Sequence, residues 1–276
     1  MKLYHYTKFD TFIYDILPKM QLKFFPFSSS NDPFEFSFPC TMDFNQFVIA
    51  NYNEILNEFD RQLLKYRMIC FCKDSRNIDG YKLPTMWAHY AEKHSGICIE
   101  FNIEKLNFQY FKKGTIIKRS VHYNNNKNAK RITFQSSETN GNVLVNELVL
   151  KGVLNSLKEY ESSFLFYKLS DWKTENEYRI VYKTESNEDI FLDINDAISC
   201  IYVGVRESKK MHKSVKLEIL EHLIEEKNRH RKQKIEIFTM DNLMENGRPK
   251  YFSCNSEDTK FLREINNKIE EKRRNN

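Results

Sequence analysis

Hydrophobic and polar positions change their period repeatedly along the chain, and each change marks an element. Residues 2–7 read as a short strand, and the helical pattern over 8–16 meets Pro18, which is expected to end it because proline brings no amide donor. Residues 22–27 form a second apolar strand. The run Ser28-Ser29-Ser30-Asn31-Asp32-Pro33-Phe34-Glu35 is a polar turn. A residue before proline is driven to extended geometry, so Asn31 and Asp32 stay out of helix and their side chains are left to hold backbone or ligand. Over 43–66, Phe44, Phe47, Val48, Ile55, Leu56, Phe59, Leu63 and Leu64 form the stripe of an amphipathic helix with Asp43 as its cap. Residues 68–72 return to strand.

Proline opens and glycine closes the segment 84–96, the punctuation of a short helix. On it Trp87 and Tyr90 lie three apart with His94 one turn further, so the three are expected to share a face. Such an aromatic stripe is more often core than ligand box. Residues 97–101, Ile-Cys-Ile-Glu-Phe, are apolar enough for a central strand. Another strand is expected over 114–123, and the asparagine-rich, aperiodic 124–142 is a surface loop long enough to cover a site. A helix over 143–169 then delivers the chain to 171–182, Asp-Trp-Lys-Thr-Glu-Asn-Glu-Tyr-Arg-Ile-Val-Tyr. That stretch starts as a polar turn and becomes a half-buried strand, with Tyr178, Ile180 and Tyr182 alternating with Arg179 and Val181. Beyond it come strands over 190–192, 199–205 and 234–240 and a helix over 208–231. A charged helix over 256–274 carries a thin seam of Phe261, Leu262, Ile265 and Ile269, suited to docking on the domain or on a second copy as a homodimer. The order predicts an α+β class: one domain over 1–255 and a charged C-terminal helix over 256–276.

Composition narrows the function classes. With 276 residues, 41% hydrophobic, 22 Phe and 15 Tyr, the chain can build an aromatic core without staples. Its 43 basic and 38 acidic residues give +5, spread along the chain, which permits a nucleic-acid partner without indicating one. Six cysteines show no Cys-x-x-Cys spacing and read as buried free thiols of a reducing compartment. No apolar run approaches the roughly 20 residues of a membrane span, so a cytoplasmic protein is expected. The absence of a phosphate-binding glycine loop removes ATPase and dehydrogenase readings. His89 and His94, five apart, suit neither common helical metal-ligand spacing, so no metal is expected.

The candidate chemistry lies at Glu175 and Glu177. Side chains at i and i+2 leave a strand on one face, so both carboxylates are expected to point into one cleft, each raising the other's pKa. Such a pair suits a substrate on which positive charge develops. The plainer alternative is a strand end with solvated acids and Arg179 as an ion-pair partner.

Several groups of residues also carry a family resemblance. Phe27-Ser28 with Asn31-Asp32-Pro33-Phe34-Glu35, Cys70-Phe71-Cys72, Met86-Trp87-Ala88-His89-Tyr90-Ala91, His94-x-Gly96-Ile97-Cys98-Ile99-Glu100-Phe101 and Asp171-Trp172 with Glu175-x-Glu177-Tyr178-Arg179 resemble the landmarks of the bacterial domain-of-unknown-function family numbered 2971. A second resemblance brings an activity. Leu3-Tyr4-His5-Tyr6-Thr7 is similar to the first-strand signature of ADP-ribosyltransferases of the diphtheria-toxin and poly-ADP-ribose-polymerase class, and Asn176-Glu177-Tyr178-Arg179-Ile180-Val181-Tyr182 resembles their catalytic-glutamate strand. The pair Glu175-x-Glu177 also looks like the paired-glutamate motif of the arginine-modifying branch.

The resemblance implies a split, mostly antiparallel sheet with flanking helices, NAD as substrate, and transfer of ADP-ribose to a macromolecular acceptor or hydrolysis of NAD, in a setting such as antiviral defence. Glu177 and Glu175 would be catalytic, the first stabilising an oxocarbenium-like sugar and the second taking a proton from the acceptor. His5, Tyr6, Thr7, Asn31, Asp32, Trp87 and Tyr90 would bind the dinucleotide, with His5 on the adenosine ribose, the Tyr6 backbone on the carboxamide and Tyr90 stacked on nicotinamide. Two departures stand out: Tyr6 replaces the family's glycine, so its side chain must turn out of the cleft, and the separation of Tyr90 from Glu177 is long. Two further readings stay open, a non-catalytic ligand-sensing or partner-binding module and a nucleic-acid binder using the 124–142 loop and the basic tail.

Overall fold

The computed structural model describes residues 1–32, 35, 40–42, 49–124, 130–132, 145–186, 188–208, 215–245 and 248–254. Strands run in chain order as β1 (Lys2–Thr7), β2 (Gln21–Pro26), β3 (Cys40–Met42), β4 (Tyr66–Lys73), β5 (Ile97–Asn102), β6 (Thr115–Ser120), β7 (His122–Tyr123), β8 (Lys130–Ile132), β9 (Tyr167–Lys168), β10 (Glu177–Lys183), β11 (Ile190–Asp193), β12 (Ile198–Val203), β13 (Glu236–Glu245) and β14 (Arg248–Cys254). Ten of them form an open sheet in the order β11-β2-β4-β1-β5-β12-β13-β14, with β10 against β4 and β6 beyond β10. Its pairings are antiparallel except β12 with β13. The chain is thus a mixed α/β protein with a largely antiparallel sheet, and β5 lies inside it, between β1 and β12, as its continuous apolar run requires.

One face of the sheet carries Leu3, Ile69, Phe71, Ile99, Phe101 and Ile180 against Phe12 and Leu17 of the helical segment 9–19 and Leu220 and Ile224 of the helix Val215–Arg229. The opposite face is divided in two. Met68 and Val181 pack under Ile55 and Phe59 of the helix Tyr52–Leu63 and Val153 and Leu157 of the helix Val145–Leu165. Tyr4, Tyr6, Cys98 and Tyr202 pack under Trp87 of the helix Pro84–His89. Period-two alternation sends neighbouring residues of each strand to opposite faces, which is how Leu3 and Tyr4 enter different cores.

One discontinuity of the sheet positions the site. β1 pairs with β5 along its whole length but with β4 only through Leu3↔Lys73 and Tyr4↔Cys72. The far end of β4 pairs instead with β2, through Phe25↔Met68 and Pro26↔Arg67. Between those two ladders β1 and β4 part, and the His5 ring bridges the gap with Nδ1 3.0 Å from the Cys70 carbonyl.

Several elements depart from the sequence expectation. Pro18 does not end the first helix: a π-type turn over Phe12–Ile16 widens the coil ahead of it, and the segment stops at Met20, where φ is 50°. The helix at 84 ends at His89, and Glu92, Lys93 and His94 follow at φ 51°, 53° and 71°. His94 therefore does not share the helical face of Trp87 and Tyr90. Tertiary bonds hold this left-handed turn, since His94 O accepts from the Arg206 amide and Gly96 O from the Gly204 amide. β13 runs on to Glu245 and forms a hairpin with β14, a strand the apolar pattern missed. The residues between them are Asn246-Gly247, the dipeptide most favoured in two-residue hairpin turns, and that signal was present in the sequence.

The start of the 43–66 helix, most of the 124–142 loop and the whole 256–276 helix lie outside the described residues. Among those described, no helix is long and apolar enough to cross a membrane.

Candidate active site

A cavity of about 460 Å³ occupies the gap between β1 and β4 and reaches under the helix that starts at Pro84. Its walls include Tyr4, His5 and Tyr6 of β1 and residues 68–72 of β4, with Phe25, Ser30 and Asn31 from the chain after β2 and Tyr90 across from them. Lys168, Glu175 and Glu177 form the charged wall. Elsewhere the lining is mainly apolar, so the charged groups there act through a low local dielectric.

Glu177 opens β10 and faces the side of the sheet where the two cores meet. Arg179, two residues on, shares that face and holds Glu177 by two bonds, Nε to Oε1 at 2.6 Å and Nη2 to Oε2 at 3.0 Å. The same guanidinium donates to Glu35 Oε1 at 2.7 Å and to the Leu165 carbonyl at 2.8 Å. This fork geometry is what arginine offers over lysine. Burial works to raise the Glu177 carboxyl, but Arg179 and then Lys168 take it down to about 2.

Glu175 reaches the cavity by a different route from the one its spacing implies. It is not on the strand: it ends the 3₁₀ turn Ser170–Glu175, and Asn176 at φ 45° reverses the backbone before β10 begins. Asparagine tolerates that left-handed conformation, and its side chain donates to the Lys73 carbonyl at 2.6 Å. Glu175 accepts from the Tyr90 hydroxyl at 2.7 Å and from Lys168 Nζ at 2.7 Å. Burial raises its carboxyl, Lys168 opposes the rise, and the Glu177 charge adds to it. The expected mutual rise therefore occurs only at Glu175, because Arg179 dominates at Glu177.

Lys168 joins the carboxylates. Its Nζ lies 2.7 Å from Glu175, 3.3 Å from Glu35 and 3.4 Å from Glu177, and 4.8 Å from the centre of the Trp172 ring. The parallel pair of β7 and β9 sets its backbone, and the Tyr123 hydroxyl accepts from the Glu177 amide at 2.8 Å. Burial alone would lower the Lys168 ammonium, and the surrounding carboxylates raise it instead.

The structure brings His5, Tyr6, Asn31, Tyr90, Glu175 and Glu177 to one cavity. It does not bring Thr7, Asp32 or Trp87 to the wall. Thr7 pairs with Ile97 inside the sheet, Asp32 is buried in the turn leading to Glu35, and Trp87 is core, its Nε1 donating to the Tyr81 carbonyl at 2.7 Å. Tyr6 turns its ring edge-on to Trp87 and donates its hydroxyl to the Gly80 carbonyl at 2.6 Å. Burial lowers the His5 ring below its ordinary pKa, and with Nδ1–H given to Cys70 O the neutral tautomer leaves Nε2 as an acceptor. Arg179 was legible only as an ion-pair partner, Glu35 only as part of a turn motif, and Lys168 not at all. The sequence pattern runs the helix on to 169, whereas it ends at Leu165 and Lys168 lies in β9, and a lone lysine there carries no signal of burial. Among the described residues no group of three or more His, Cys, Asp and Glu is placed to hold a metal ion.

The fold and site together define a mixed α/β protein whose sheet opens around a cavity with an ionised carboxylate–cation wall. The family model described as "Protein of unknown function (DUF2971)" matches residues 86–180. The match takes in Tyr90, Lys168, Glu175, Glu177 and Arg179. No curated protein and no solved structure matches the chain.

Proposed function

We propose that the cavity binds NAD and that the protein is an ADP-ribosyltransferase-like enzyme, cleaving the bond between nicotinamide and ribose and passing ADP-ribose to a macromolecular acceptor or to water. One observation carries the reading: two buried carboxylates stand on one cavity wall in different surroundings, Glu177 held at both oxygens by Arg179 and Glu175 by the Tyr90 hydroxyl and Lys168 Nζ, which pushes the first carboxyl down and leaves the second raised by burial. Groups separated in this way divide into a permanent anion and an acid–base. Glu177, ionised at every working pH, suits a transition state in which the ribose gains positive charge. Glu175 suits the proton transfer.

In this scheme the C1′–N bond breaks with its electron pair moving to the nicotinamide ring nitrogen, which loses its positive charge. An acceptor oxygen or nitrogen then donates a lone pair to C1′, and its proton passes to Glu175. Tyr90 offers a ring beside Glu175 for the nicotinamide, and His5 Nε2 offers an acceptor to a ribose hydroxyl. The gap between β1 and β4 leaves strand backbone beside the cavity, in keeping with a Tyr6 main chain that meets the carboxamide.

The test is nicotinamide release from millimolar NAD by wild-type protein and by Glu177→Gln and Glu175→Gln. Turnover should fall about 100-fold or more in Glu177→Gln, the scale of losing one electrostatic group from such a site. Wild-type protein that neither releases nicotinamide nor gains thermal stability with NAD overturns the reading.

A second reading draws on the saturation of Glu177 by Arg179. A carboxylate already held at both oxygens suits a ligand-sensing module that binds a nucleotide without turnover. Its mark is stabilisation by NAD with no nicotinamide released by any preparation.

A further inference from the structure

We propose that Lys168 is a positioning residue for this site: it ties Glu175, Glu177 and Glu35 to one ammonium and keeps Glu175 in the cavity wall as the group that takes the acceptor's proton. The inference deepens the NAD reading and rests on it. Its ground is geometric. Lys168 is 3% exposed and touches all three buried carboxylates, Glu175 and Glu177 from either side of the Asn176 reversal and Glu35 from the N-terminal part of the chain.

The groups facing Glu175 come from every side of it. Tyr90 donates to it from the end of the Pro84–His89 helix, and Lys168 donates from β9. The Glu177 carboxylate faces it from β10, the Cys72 thiol from β4 and the Tyr123 phenol from β7, while Arg179 and Glu35 stand behind Glu177 and Lys168. Burial pushes the Cys72, Tyr90 and Tyr123 groups up, so all three stay neutral through the ordinary pH range. Arg179 is fully engaged with Glu177, Glu35 and the Leu165 carbonyl, so Lys168 is the one cation in hydrogen-bond contact with Glu175 among the described residues. Without it, burial and the Glu177 charge both favour the proton on Glu175, and a carboxyl already carrying a proton cannot accept another. The Trp172 ring stands 4.8 Å from Nζ, close enough to attract the ammonium.

The test uses the full chain with Lys168→Met, which removes the charge, Lys168→Gln, which removes the charge but keeps an N–H donor, and Lys168→Arg, which keeps the charge. The first readout needs no NAD: the carboxyl-carbon titration of Glu175 in protein labelled with ¹³C-glutamate, assigned by Glu175→Gln. The midpoint should rise by about one pH unit or more in Lys168→Met and Lys168→Gln, the range expected when an opposite charge within reach is lost. It should stay near the wild-type value in Lys168→Arg. The second readout is the pH profile of nicotinamide release, whose acid limb should move up by the same amount.

An unchanged Glu175 midpoint in either uncharged variant overturns the proposal, and so does a shift in Lys168→Arg as large as in those two. Should Lys168→Met not fold, Lys168→Gln decides. Absence of nicotinamide release from wild-type protein overturns the NAD reading, while the carboxyl titration still decides separately whether Lys168 sets the proton affinity of Glu175.

Discussion

Arg179 is completely buried, yet it supports its charge by giving every bonded donor to an oxygen: two to Glu177, one to Glu35 and one to the Leu165 carbonyl. A buried charge pair adds little net stability compared with apolar packing, but removing one partner leaves the other charged and unsolvated. Arg179→Met is therefore expected to cost about 3–5 kcal/mol in urea unfolding, and a loss under about 1 kcal/mol would show that Glu177 and Glu35 do not depend on the guanidinium. Titration gives a second residue-scale prediction. Because the folded Glu177 pKa lies below its ordinary 4.5, at about 2, its contribution to stability is complete above 4.5 and disappears as pH falls through about 2. His5 acts at higher pH. Its ring is held below its ordinary 6.5, so the unfolded chain takes up a proton there before the folded one does, and stability falls as pH drops below 6.5. A His5→Gln variant should lose the part of the slope nearest 6.5 and keep the part due to Glu177, as read by urea midpoints across the range. At this scale the sequence showed the types of Glu175, Glu177 and Arg179 but not their partners, since Glu35 is brought in from a distant part of the chain and Lys168, although only seven residues before Glu175, meets it through the fold of the 3₁₀ turn between them.

The elements around the cavity are held by close backbone approach as much as by side-chain packing. A Cβ on Gly96 would stand 2.3 Å from the Thr7 carbonyl oxygen, and one on Gly204 would stand 2.3 Å from the His94 carbonyl oxygen. Both contacts are with backbone, which has no rotamer to move. Gly96→Ala should cost about 1–3 kcal/mol, as overpacking of a filled interior does, and should lower NAD affinity as well, because the same turn carries Tyr90. Stability and NAD affinity equal to wild type in calorimetry would mean that the β1–β5 edge yields more than its ladder implies. Proline marked the start of a short helix at 84 correctly in the sequence, but Gly96 did not mark its end, which falls at His89. The left-handed turn at 92–94 was not legible there, because bonds from residues 204 and 206, more than a hundred positions away, hold it.

For the whole molecule, the working prediction is stabilisation by ligand. NAD at 100 times its dissociation constant should add about 2.7 kcal/mol, a rise of about 5 °C in Tm for a chain of this size. The rise should persist in Glu177→Gln, where binding outlasts chemistry, and its absence in both proteins would point to a different ligand. Alternation and composition by themselves determined much of this protein: most strands of the main sheet, the apolar centre at β5, the free thiols at Cys70, Cys72, Cys98 and Cys200, and the residue types of Glu175, Glu177 and Arg179. Each of those depends on local period or residue type, which a single stretch of chain contains. Only the tertiary structure decided that β1 would leave β4 after two pairs, that Trp87 would be core while Tyr90 met Glu175, and that Asn176 would reverse the chain to bring Glu175 beside Glu177. It also decided that Lys168 would be buried among three carboxylates. Strand pairing, burial and the pKa shifts that follow from them are properties of contacts between distant segments, and no local pattern records which segments will meet.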